Sequence, residues 1–269
     1  MKIFNSINTL NNNDNIKVTI GFVPTMGALH KGHISLIKKC QKISEKTLVS
    51  IYVNPAQFDK KNDFNNYPQN INKDIKILKK LKVDYLLIPN TKEIYKSKKE
   101  MKINISNKYK VLCAKNRPGH FEGVLAVINQ FIKRIKPKYL FLGSKDFQQL
   151  FLIKKFIGKK FKTKIIECKT IRDDGFLPYS SRNLILSKSN LKIAQKISKK
   201  LHLFYNSTKK NFANKNKIEI LKNKIRNYNV KIDYLEIRNK NNISKKFSKS
   251  NFKIFISYYI QKVRLIDNL

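Results

Sequence analysis

Two histidines flank a Lys-Gly pair in the segment Pro24-Thr25-Met26-Gly27-Ala28-Leu29-His30-Lys31-Gly32-His33. The segment follows an apolar run and opens a stretch with helical spacing. A helix N-terminus offers unpaired N–H groups and the positive end of a dipole, which together suit a phosphate. Imidazoles placed there add hydrogen-bond donors, and Gly32 lets a ligand approach the backbone closely. A Walker loop is excluded, since GxxxxGK[ST] occurs nowhere in the chain. The plainer reading, that His30 and His33 only cap a helix, must explain why three of the chain's four histidines fall in such segments.

Four further segments carry chemically useful side chains. Asn54-Pro55-Ala56-Gln57-Phe58 ends the second apolar run, and Gln57 can donate and accept hydrogen bonds to hydroxyl and carboxylate groups. Taken alone, this is equally a loop with a structural Asn54. Arg117-Pro118-Gly119-His120-Phe121-Glu122-Gly123-Val124 puts a guanidinium suited to carboxylate or phosphate beside His120, although Pro-Gly before a helix is also an ordinary turn. Gly143-Ser144-Lys145-Asp146-Phe147-Gln148-Gln149 repeats the first geometry of strand, glycine turn and helix start. Lys145 is a point charge for phosphate, Asp146 suits a ribose hydroxyl or Mg²⁺, and Gln149 follows in the helix. As a bare charge cluster it reads as a solvated cap. Tyr179-Ser180-Ser181-Arg182-Asn183 offers two hydroxyls and a guanidinium for a triphosphate, or a Ser-Ser helix cap.

The elements that must position these residues follow from periodicity. Residues 17–23, 47–53, 84–88, 138–142 and 163–168 read as strands, with a short one near 101–105. Helical spacing runs from about Ile34 to Ser44, over 70–82 through Ile71, Ile75, Leu78 and Leu81, over Glu122–Ile135, and over Phe147–Ile157. Strands alternating with helices predict a mainly parallel sheet covered on both faces, an α/β nucleotide-binding type of domain over residues 1–172. Asp173-Asp174-Gly175 reads as a turn or hinge. Beyond it, over 173–269, helices at about 190–206 and 216–227 precede strands at 230–237, 252–259 and 262–266, which predicts a smaller α+β unit. The Asn-rich and Lys-rich runs at 11–15 and 240–250 read as surface loops.

Composition bounds the function. The 269 residues carry 58 Lys plus Arg against 17 Asp plus Glu, a formal charge of +41. Only seven of those cations are Arg, the residue that reads bases best, and the Lys are spread along the whole chain. With 31 Asn beside them, the pattern fits AT-rich coding more simply than selection for nucleic acid. No specific nucleic-acid partner is expected, though nonspecific polyanion binding is. No stretch approaches 18 consecutive apolar residues, and Met1-Lys2-Ile3-Phe4-Asn5-Ser6 lacks the apolar core of a signal peptide. Cys40, Cys113 and Cys168 match no metal or disulfide framework, so a reducing, cytoplasmic setting is expected. Glycine is scarce at eight residues, and six of them fall in or beside these motifs.

The first segment is the HxGH arrangement of nucleotidyl-transfer enzymes. All five segments, in this order, resemble the pantothenate synthetase (pantoate–β-alanine ligase) family, and the resemblance runs to the closing Val263-Arg264-Leu265-Ile266-Asp267-Asn268. It implies a cytoplasmic homodimer with a Rossmann-like N-terminal domain and a smaller C-terminal lid. It also implies a ligase that joins pantoate to β-alanine through a pantoyl-adenylate, using ATP and Mg²⁺ and releasing AMP and pyrophosphate. Carried across, Met26, Gly27, Ala28, Leu29, His30, Lys31, Gly32 and His33 form the ATP loop, with His33 as proton donor and His30 beside it at the phosphates. Gly143, Ser144, Lys145, Asp146, Ile171, Tyr179, Ser180, Ser181 and Arg182 complete the ATP site, with Lys145 catalytic and Asp146 toward the metal. Gln57 and Gln149 hold pantoate, and Gln57 later holds β-alanine; Asn54 and Arg117 are assigned to the same substrates. Three departures stand out: Ser144 for a usual Glu, Tyr179 for Met or Leu, and Phe176 where Gly is common in the hinge turn. An HxGH enzyme that leaves the nucleotide on its product is the rival reading, and Gln57, Gln149 and Ser180-Ser181-Arg182 disfavour it.

Overall fold

Runs such as Phe22-Val23 and Leu48-Val49 leave no polar face, so these strands need cover on both sides. A computed structural model describes residues 1–13, 19–59, 61–210 and 215–269. In chain order its elements are β1 Lys2–Phe4, α1 Ile7–Asn11, β2 Ile20–Thr25, α2 Lys31–Ile43, β3 Lys46–Ile51, α3 Lys61–Asn65, α4 Ile71–Lys80, β4 Tyr85–Leu87, α5 Thr91–Ile94, α6 Cys113–Asn116, α7 His120–Ile135, β5 Tyr139–Gly143, α8 Phe147–Phe156 and β6 Lys164–Cys168. There follow α9 Lys188–Lys210, α10 Lys215–Arg226, β7 Lys231–Asn239, β8 Phe252–Ile260 and β9 Val263–Asn268. The chain divides into two compact units, Met1–Lys110 with Arg117–Thr170, and Val111–Asn116 with Ile171–Leu269.

The first unit is a six-stranded parallel sheet in the order β1-β4-β3-β2-β5-β6. On one face Val23, Val49, Leu86 and Phe141 pack with Leu36, Ile37 and Cys40 of α2 and Leu78 of α4. On the other, Phe22 meets Phe131 of α7 edge to face at 5.2 Å. From β2 the chain steps outward through β3 and β4, then crosses back by α7 to lay β5 on the opposite side of β2. The β2–β5 boundary is therefore the topological switch point, where open α/β sheets bind ligands at their strand C-termini.

The second unit packs α9 and α10 on an antiparallel sheet β7-β8-β9. Ala194, Ile197 and Leu201, at helical spacing on α9, pack with Ile225, Leu235, Ile254, Ile256 and Tyr258. Two features shift the unit boundary from the expected 172/173. Arg172 grips Asp267 of β9 with both nitrogens, at 2.7 and 2.8 Å, which draws Ile171 and Arg172 into this unit. Val111–Asn116 joins it too, because Cys113 Sγ lies 2.9 Å from the Tyr234 hydroxyl and 3.6 Å from both Arg264 Nη atoms. The hinge turn closes with Phe176 in the left-handed region at φ 67°, its ring on His202 at 4.7 Å. Asp173 Oδ1 accepts the Gly175 and Leu177 N–H groups, and Arg172 donates to the Phe176 carbonyl, so the turn forms without a glycine at 176.

One local expectation changes, and one strand is added. Residues 101–105 form no strand, since Ile103 N–H goes to the Glu122 carbonyl on α7 rather than to a sheet neighbour. β1 escapes sequence pattern because only three residues pair, and on one side only. Part of the strand expected at 17–23, and part of the loop expected at 11–15, lie outside the described residues.

Candidate active site

Strand β2 delivers the chain at Thr25, and α2 takes it up at Lys31. Between them the backbone turns through two consecutive left-handed residues, Gly27 at φ 79° and Ala28 at φ 49°. Thr25 Oγ1 donates to the Ser50 carbonyl (2.7 Å) and accepts from Gly27 N (3.1 Å), fastening the turn to β3. The next two N–H groups, of Ala28 and Leu29, donate at 2.8 Å each to the two carboxylate oxygens of Asp74, which is 2% exposed on α4. Burial pushes the Asp74 carboxyl up, and the two backbone N–H groups partly offset that.

His30 caps α2. Its Nδ1 accepts from Gly32 N at 3.1 Å, so in the neutral ring the proton sits on Nε2 and faces away from the cap. The His33 ring lies on it, with centroids 4.0 Å apart. Burial first, then the charges of His33 and Lys145, push His30 down to about 2. Burial pushes His33 down to about 4, with Asp146 opposing and Lys145 assisting. Both rings are therefore neutral at pH 7. His33 Nδ1 is buried with no protein partner.

Across the switch point, β5 ends at Gly143, and a short turn, Ser144–Asp146, leads into α8. Lys145 Nζ lies 3.5 Å from Asp146 Oδ1. The Lys145 charge acts on both histidines and the Asp146 charge on His33, so the structure brings His30, His33, Lys145 and Asp146 into one electrostatic cluster. Ser144 Oγ stands 2.8 Å from Glu167 Oε1 and 2.9 Å from the Cys168 carbonyl, so β6 brings a carboxylate to that position. Gln149 lies in the first turn of α8 and is partly exposed, while its neighbour Gln148 is buried and donates to the Tyr109 carbonyl.

The C-terminal end of β3 leads into the turn Pro55–Gln57. Asn54 is engaged there at both ends of its amide: its Oδ1 accepts from Ala56 N (3.2 Å) and the Tyr95 hydroxyl (3.1 Å), and its Nδ2 donates to the Gly123 carbonyl (3.2 Å). Arg117, expected at a substrate carboxylate, pairs within the protein with Asp59 at 3.0 Å and Asp63 at 3.7 Å. It also donates to His120 Nε2 (3.0 Å), and His120 Nδ1–H donates to the Gln57 carbonyl (2.6 Å). Asn54 and Arg117 both hydrogen-bond to the Gln57 turn. The Gln57 amide itself reaches the Met26 sulfur, which joins this turn to the histidine loop.

In the second unit, Tyr179 N donates to the Ile171 carbonyl at 3.0 Å. Ser180 Oγ accepts from Arg182 N at 3.3 Å and caps the turn Ser181–Ile185, so the helix-cap reading of Ser-Ser holds for Ser180. Ser181 is buried and Leu184 and Ile185 are exposed. Among the described residues no three His, Cys, Asp or Glu side chains gather as a metal cluster.

Asp74 lies outside the five motif segments. A signal existed: it lies on the helical face marked by Ile75, Leu78 and Leu81, where a carboxylate is out of place unless it has buried partners.

A parallel sheet with a histidine-bearing loop at its switch point defines a doubly wound α/β protein with a small α+β appendage. Within that class the family is specific: the pantoate-beta-alanine ligase family model matches residues 2–269, and the chain belongs to that family of ligases. Pantothenate synthetases of Francisella tularensis, subspecies mediasiatica and novicida, are 44% identical to it over 254 residues, covering 93% of this chain and 88% of theirs. A crystal structure of pantoate-beta-alanine ligase from Francisella tularensis, complexed with Beta-gamma ATP and Beta-alanine, superposes with a TM-score of 0.86 at 40% identity, covering 100% of this chain and 97% of that one. The pantothenate synthetase of Thermus thermophilus superposes at 0.91 with 26% identity, covering 100% and 99%.

Proposed function

We propose that the protein condenses pantoate with β-alanine through a pantoyl-adenylate, using ATP and releasing AMP and pyrophosphate. The observation that carries this reading is the pair of neutral, stacked imidazoles of His30 and His33 at the switch point, with Lys145 charged close by. The family membership and the ligands of the Francisella relative support it.

In the first half-reaction the pantoate carboxylate attacks the α-phosphorus, and charge grows on the phosphoryl oxygens and the leaving pyrophosphate. Donors fixed in advance around that charge supply most of the rate. His30 Nε2–H is such a donor, because the Gly32 bond commits its Nδ1. Burial keeps His33 neutral in the free protein. Phosphate charge favours the protonated ring, so nucleotide binding prepares His33 to donate its proton. Gln57 and Gln149 hold pantoate, with Asn54, Arg117 and His120 fixing the Gln57 backbone. A Mg²⁺ ion arriving with ATP takes most of its oxygens from phosphate and water and needs one or two protein carboxylates. Asp146, 45% exposed, fits that need and would hold it, and the ion would neutralise phosphate charge there. In the second half-reaction β-alanine attacks as the neutral amine, a minor form at neutral pH. Ile171 and Tyr179 to Arg182 are proposed for ATP, and the C-terminal unit as a lid, on the resemblance alone. The same reading takes the protein as a cytoplasmic homodimer; all three thiols are buried and free.

The test is ATP–pyrophosphate exchange. Pantoate should stimulate it, and His33→Ala should cut the stimulated rate by about 100-fold or more, the range of a general acid, with circular dichroism unchanged. A folded wild-type protein with no pantoate-dependent exchange defeats the reading.

A further inference from the structure

The turn between β2 and α2 presents successive N–H groups inward through its two left-handed residues, Gly27 and Ala28. Such a turn makes a concavity that holds an anion. Here the protein fills it with its own anion. Asp74 Oδ2 takes the Ala28 N–H and Oδ1 the Leu29 N–H, both at 2.8 Å, and the Gly27 N–H goes to Thr25 Oγ1. A Cβ on residue 27 would stand 2.9 Å from Asp74 Oδ2, so the carboxylate fits against glycine alone.

We infer that Asp74 is the positioning residue of the histidine loop, and that by filling the concavity it removes the Ala28 and Leu29 N–H groups from phosphate recognition. The inference rests on the reading of this loop as the ATP site, and deepens it. Of the expected ATP-loop residues, Ala28 and Leu29 contribute shape, while the phosphates are met by side chains: His30 Nε2–H, His33 and Lys145. Asp74 fixes residues 28 and 29, which places the His30 cap and sets the two rings 4.0 Å apart. A carboxylate is required because each of its oxygens accepts from one N–H. An asparagine keeps the shape but turns an NH₂ group toward one of them.

Asp74→Asn should therefore lower kcat of pantoate-dependent exchange by roughly 10- to 100-fold, the scale of a small misplacement of catalytic groups. The KM for pantoate should change little, and Asp74→Glu, which restores both acceptors, should recover part of the loss. A purely structural residue would lower the folded fraction and leave kcat per folded molecule unchanged. That result overturns the inference. Amide hydrogen exchange of the wild-type protein gives a readout independent of catalysis. Ala28 and Leu29 should be protected as strongly as core amides, and exchange at open-loop rates overturns the clamp. If Asp74→Asn does not fold, the wild-type amides decide. If the wild-type protein shows no exchange activity, the functional reading fails, and the amides still decide the clamp.

Discussion

His30 and His33 fold as neutral imidazoles at neutral pH, and that has a thermodynamic consequence in the free protein. Their folded-state values, about 2 and about 4, lie below the ordinary 6.5, with burial the main cause in both. Above pH 6.5 both folded and unfolded states are neutral and the groups are silent. As pH falls below 6.5 the unfolded chain takes up protons that the folded loop refuses, so stability drops until the folded value is passed. For His33 the drop between pH 7.5 and pH 5 should be about 2 kcal/mol. Urea unfolding at the two pH values, compared with His33→Gln, isolates it: the variant should lose less by about that amount. Equal losses would mean that His33 is hydrated and already near its ordinary value. At this scale the grouping of His30, His33 and Lys145 could be found from motif order alone. The protein partners of Asn54 and Arg117 could not, because only the fold brings Tyr95, Gly123, Asp59 and Asp63 to them.

Among elements, α7 packs backbone against backbone on the turn after β3. A Cβ on Gly123 would lie 2.1 Å from the Ala56 carbonyl oxygen, and Asn54 bonds to the Gly123 carbonyl beside it. The obstacle is backbone, so no rotamer change relieves it. Gly123→Ala should cost about 2 kcal/mol or more in stability, as overpacking does, and should raise the KM for pantoate by displacing Gln57. A urea midpoint equal to wild type would show that α7 can slide freely. Most elements of this sheet were legible, since Phe22-Val23, Leu48-Val49 and Leu140-Phe141 are buried on both faces and read as uninterrupted apolar runs. The start of α2 was less so: its cap is a histidine rather than Ser, Thr, Asp or Asn, so no start signal marks Lys31. Val111–Asn116 was illegible for a different reason. Its allegiance is set by Tyr234 and Arg264, more than a hundred residues away, and no local pattern encodes that contact.

At the scale of the whole molecule, the charge of +41 sits on a surface rather than at a site. No described lysine is buried, and Lys145 is among the few that are even partly covered. The charge therefore acts mainly through long-range repulsion between copies of the chain, and salt controls its reach. The screening length falls from about 30 Å at 0.01 M to about 10 Å at 0.1 M. In the proposed homodimer two such surfaces approach each other, so association must overcome a repulsion that salt removes, while apolar burial at the interface is little affected. Dimerisation should therefore strengthen severalfold between 0.02 and 0.2 M NaCl, as the screening length shrinks about threefold. Binding to heparin or bulk DNA should weaken steeply over the same range through counterion release. Sedimentation velocity at two salt concentrations reads the first and a salt-gradient retention assay the second. A dimer that dissociates as salt rises would place attractive ion pairs at the interface. The lysine coat would then be a contact surface, not a solvated one.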